Sequence, residues 1–70
     1  MNSQFTAICA KRGEWWVGWV EEIPGVNAQE RTQAELMISL RAVLSEALEF
    51  NREEARAAAG KDYVEAPMTV

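Results

Sequence analysis

A chain of 70 residues makes one domain with a small core. Its single cysteine, Cys9, rules out an intrachain disulfide, and without histidine the usual structural zinc sets are missing, so self-association is the expected support for so small a fold. The net charge of −4 disfavours nucleic acid as a direct ligand and suits a basic protein partner.

Residues 4–10, Gln-Phe-Thr-Ala-Ile-Cys-Ala, are too few for a helix and carry branched and aromatic side chains, so the first element is a strand. Lys11-Arg12-Gly13 marks a tight turn. Residues 14–20, Glu-Trp-Trp-Val-Gly-Trp-Val, give the strongest strand signal and complete a β-hairpin. Pro24 and Gly25 suit a type II turn, and residues 26–29 form a short third strand.

Thr32-Gln33-Ala34-Glu35 matches a capping box, with Thr32 as N-cap and Glu35 reaching back to it. In the helix that follows, Leu36, Leu40, Val43, Leu44, Ala47 and Leu48 recur on one face. Residues 52–59 favour helix but lack a large apolar face, and Gly60 is a natural stop. Unbroken from Gln33 to Ala59, the helix is roughly 40 Å long at ~1.5 Å per residue, against about 20 Å for a six-residue strand. Its second half must overhang, kink near Asn51 or pack on another subunit. Residues 63–70 read as a final strand, placed at an edge by Pro67. The expected fold is α+β, in the order β-β-β-α-β: an antiparallel sheet with one main helix on one face.

Residues 16–26, Trp-Val-Gly-Trp-Val-Glu-Glu-Ile-Pro-Gly-Val, resemble the aromatic strand and Leu-Pro-Gly-Cys turn of HicB-family antitoxins. Residues 27–32, Asn-Ala-Gln-Glu-Arg-Thr, followed by Glu35, resemble the Gln-Gly-Asp-Thr helix entry of that family. The resemblance covers about Phe5 to Leu48. Glu30 and Arg31 depart from the glycine and acid usual at those positions, and Val26 from the frequent cysteine. It implies a degraded RNase H-like domain without nuclease activity, which binds and neutralises a small basic HicA-type ribonuclease toxin. It is to a short form, without the DNA-binding segment that many such antitoxins carry, so autorepression is not implied.

The residues themselves point away from catalysis. The commonest general base, histidine, is absent. An RNase H-type magnesium site needs a carboxylate on the first strand, which has none. Glu35, Glu46 and Glu49 read as solvated helix charges, and Cys9 as a core cysteine with no base to activate it. No cofactor is expected. No apolar run reaches the ~18 residues of a membrane span, and the N-terminus lacks a secretion signal. A lone thiol suits a reducing cytoplasm.

Alternation along the strands sorts the hairpin into two faces. The core set is Phe5, Trp16, Val20, Leu36, Leu40, Leu44 and Leu48, with Ala7, Cys9 and Gly18 also facing the helix; Gly18 marks where the helix comes close. The outer set, Thr6, Ile8, Ala10, Trp15, Val17 and Trp19, is unusually apolar for a sheet covered on one side. Ile8, Trp15, Val17 and Trp19 are therefore the expected interface with a protein partner or a second copy, in a homodimer or higher oligomer. Glu21 and Glu22 are candidate contacts to a basic toxin, whereas the scattered lysines and arginines read as solvated surface. An oligomeric scaffold domain of the same fold, with no toxin, is the competing reading. An adjacent small basic reading frame would separate the two.

Overall fold

The computed structural model describes residues 5–69. Three strands, β1 (Ala7–Arg12), β2 (Trp15–Val20) and β3 (Asn27–Glu30), precede one helix, α1 (Gln33–Ala59). The sheet is antiparallel in the order β1-β2-β3. The α+β class holds, as a β-β-β-α arrangement with the helix packed on one face.

The hairpin register pairs Ala7 with Val20, Cys9 with Gly18 and Lys11 with Trp16 on the inner face. Ile8 with Trp19, Ala10 with Val17 and Arg12 with Trp15 lie on the outer face. β1 runs two residues further than the sequence suggested, so Lys11 and Arg12 belong to the strand. Gly13, at a φ of 63°, makes the turn that follows. The third strand is also shifted, to Asn27–Glu30. Gly25, at a φ of 89°, lets the chain reverse, and the Val20 N–H donates to the Val26 carbonyl at 3.0 Å.

That reversal buries a residue missing from the expected core. Val26 is only 2% exposed and joins Val20, Leu36 and Leu40 as the fully buried set. Trp16, Ile23, Ala28, Met37, Val43, Leu44 and Ala47 pack around it. Two expected core residues are corrected. Phe5 is 38% exposed because it precedes the first strand residue and lies beyond the row that the helix covers. Leu48 is half-buried outside the cluster, since the helix is leaving the sheet there. Leu44 packs against the core but is likewise only half-buried.

Gly18 lies under the helix as expected. A Cβ placed on it would stand 2.9 Å from the Ile8 carbonyl oxygen, 2.9 Å from Leu36 Cδ2 and 3.1 Å from Leu40 Cδ1. The absence of a side chain sets the depth at which Leu36 and Leu40 seat.

Thr32 caps the helix in extended conformation, its hydroxyl accepting from the Glu35 N–H at 3.1 Å. Of the two bonds of a capping box this is the one formed. The helix continues without interruption to Ala59 and overhangs the sheet, which gives the molecule its 50 Å long axis. The expected final strand is corrected. Residues 63–69 form no strand, and Val70 lies outside the described residues. The helix delivers the tail about 20 Å past the end of the sheet, and Pro67 cannot donate to a ladder. Instead Arg56 Nε donates to Glu65 at 2.7 Å, which holds the tail along the overhang. That hydrogen bond also keeps the Glu65 carboxyl below its ordinary pKa and the Arg56 guanidinium above its own.

Candidate protein-binding face

With the helix on the inner side, the outer side of the hairpin remains open. The pleat puts Ile8, Val17 and Trp19 there together, because Trp19 faces Ile8 across the ladder and Val17 lies two residues along β2. Trp19 is 41% exposed and Trp15 37%, while Ile8 and Val17 are half-buried by their neighbours. The register thus brings the four expected interface residues onto one surface.

The two tryptophans are not equivalent. Arg31 places its guanidinium 4.3 Å from the Trp15 ring centroid and pairs with Glu14 at 2.9 Å. Trp15 is therefore partly covered by its own chain, through a cation–π contact of about 0.5–1 kcal/mol at an exposed site. Trp19 has no such cation–π cover among the described residues and is the more exposed of the two, at the opposite end of the face. Sequence reasoning missed Arg31, which it treated as solvated charge. The available signal was its position directly after β3, level with the Trp15 end of the hairpin.

The face has a defined rim. On β3 the residues opposite Trp19 and Val17 are Asn27 and Gln29, so the apolar surface stops at β2. Arg12, Glu14 and Arg31 surround the Trp15 end. At the Trp19 end lie Thr6, Glu21 and Glu22, the Glu21 N–H donating to the Thr6 carbonyl at 2.9 Å.

The two candidate acidic residues also differ. Glu21 is exposed and makes no ion pair among the described residues. Glu22 accepts from the Thr6 N–H at 2.8 Å and from its hydroxyl at 2.7 Å. The bond from the Thr6 backbone, followed by that from its hydroxyl, lowers the Glu22 carboxyl below its ordinary pKa. Glu22 thus stays charged while tying the start of β1 to the loop after β2, and only Glu21 is left wholly free for an outside contact.

Cys9 is a half-buried free thiol on the inner face, 3.9 Å from the Met37 sulfur. No group of three or more histidine, cysteine, aspartate or glutamate side chains that could hold a metal occurs among the described residues. No helix among them is long and apolar enough to cross a membrane.

In comparisons with known proteins, no family model, no curated protein and no solved structure matches this chain.

Proposed function

We propose that this chain is a non-catalytic binding domain whose outer sheet face covers a partner protein. The observation that carries this reading is the open face of Ile8, Val17 and Trp19. Three apolar side chains in register lie on the side of the sheet that the helix leaves bare. A monomer gains nothing from that arrangement, since polar residues there would leave the core unchanged.

The sequence resemblance of residues 16–35 to HicB-family antitoxins gives the partner its class: a small basic ribonuclease of HicA type, neutralised sterically in the cytoplasm. Trp19 would anchor the contact, as buried tryptophans do at protein interfaces. Glu21, and the charge that Glu22 retains, would oppose basic residues on the toxin.

Growth of cells that express a small basic ribonuclease of HicA type tests the proposal. Co-expression of this chain restores growth, and the Trp19→Glu variant does not. Failure of the wild-type chain to bind or restrain that ribonuclease contradicts the antitoxin reading. The same chain would then be an oligomeric scaffold domain without a toxin.

A further inference from the structure

The sheet has two edges, and they are built differently. β3 is four residues long, reads Asn-Ala-Gln-Glu and is followed by Arg31. A short, polar, charged edge resists pairing with another strand. β1 is six residues long, and its first four, Ala-Ile-Cys-Ala, have no charge on either face. No described strand pairs with its other edge.

The hydrogen bonds show which groups that edge presents. The Thr6 carbonyl accepts from Glu21, so Thr6, Ile8, Ala10 and Arg12 turn their backbone groups toward β2. The N–H and C=O groups of Ala7, Cys9 and Lys11 therefore point outward. Above them the helix lies mainly over β2 and β3. Ser39 donates to Glu30 on the β3 side, whereas Met37 meets Cys9 on the β1 side. Leu44, seven residues after Met37, falls on that same flank. Ala7, Cys9, Met37 and Leu44 are all half-buried, forming an apolar shelf along the β1 edge.

We propose that β1 pairs antiparallel with β1 of a second copy about a two-fold axis at Cys9. This register sets Ala7 opposite Lys11 of the second copy and Cys9 opposite its counterpart, and it engages every outward backbone group of the strand. On the outer face it sets Ile8 beside Ala10 of the second copy and Arg12 opposite Thr6. Thr6 holds the Glu22 carboxylate, and Arg12 makes no ion pair among the described residues. The two-fold thus brings an unpaired cation to a fixed anion twice. That complementarity selects a second copy over an unrelated strand. A register centred on Lys11 would oppose two lysines instead. The product is a continuous six-stranded sheet with both helices on one side and the two Trp19 faces joined on the other. The pairing is independent of what those faces bind.

Mass by light scattering or sedimentation tests the assignment. At high micromolar concentration the wild type has twice the mass of the chain. Ala7→Pro removes only an N–H that points outward, a change an edge strand tolerates, and it yields a folded monomer by circular dichroism. Arg12→Glu places two carboxylates together and weakens the dimer by roughly tenfold or more. Opposed Cys9 residues in a hydrogen-bonded pair lie about 5.5 Å apart at Cα, within disulfide reach, so diamide links wild-type chains but not Ala7→Pro chains. A monomeric wild type overturns the proposal. So does a dimer indifferent to Ala7→Pro, including one that dissociates only on Trp19→Glu.

Discussion

Leu36 seats directly on Gly18: a methyl group there would come within 2.9 Å of Leu36 Cδ2 and of the Ile8 carbonyl oxygen behind it. The helix is held at this depth by one absent side chain. A side-chain methyl can rotate away, but a carbonyl in the β1–β2 ladder cannot. Gly18→Ala therefore destabilises the fold by about 1–3 kcal/mol, as overpacking does, and chemical denaturation measures it. A neutral substitution would mean that the helix rides higher on the sheet.

The buried set is small, so each member matters. Leu40 is 2% exposed, and Leu40→Ala costs roughly 2–5 kcal/mol. Leu44 is half-buried at the open β1 flank, so Leu44→Ala costs less than Leu40→Ala in the same denaturation series. Equal losses would show that Leu44 is covered in solution.

Much of this arrangement was legible in the chain. Glycine between tryptophans on a strand revealed the close approach of the helix, and alternation from Trp15 to Val20 revealed the two faces. Thr32 and Gly60 bounded the helix correctly because caps are local chemistry. What failed depended on distant placement. Val26 is buried only because the loop around Gly25 folds it onto Val20, and the five intervening residues gave no periodicity to read. Phe5 has the right parity for the core but lies past the helix-covered row. The last strand failed because the helix runs straight and carries the tail off the sheet. Arg31 over Trp15 depended on where β3 ends.

Thr32→Ala removes the side-chain acceptor for the Glu35 N–H and costs about 0.5–2 kcal/mol. Thr32→Asp retains an acceptor and keeps most of the stability. Helical ellipticity against temperature checks both variants, and an unchanged melt for Thr32→Ala would remove the cap from the account.

Glu22 links pH to the start of β1. Its folded pKa lies below the ordinary 4.5, so the contact with Thr6 contributes fully above that value. The contribution fades as pH falls through the lower folded value and the carboxyl gains a proton. NMR titration should give Glu22 a midpoint below 4.5, with the Thr6 amide signal following the same curve. A Glu22 midpoint at or above 4.5 would show that Thr6 does not hold Glu22 in solution.

The outer face is proposed to bind a partner protein, with Trp19 as its most exposed tryptophan. Calorimetric titration of a small basic HicA-type ribonuclease into wild-type and Trp19→Glu chains decides this, with the folded state of each checked by circular dichroism. Trp19→Glu, though folded, is expected to lose at least about 2 kcal/mol of binding free energy, the scale of an interface hot spot. A folded Trp19→Glu chain that binds the ribonuclease as tightly as the wild type would contradict it.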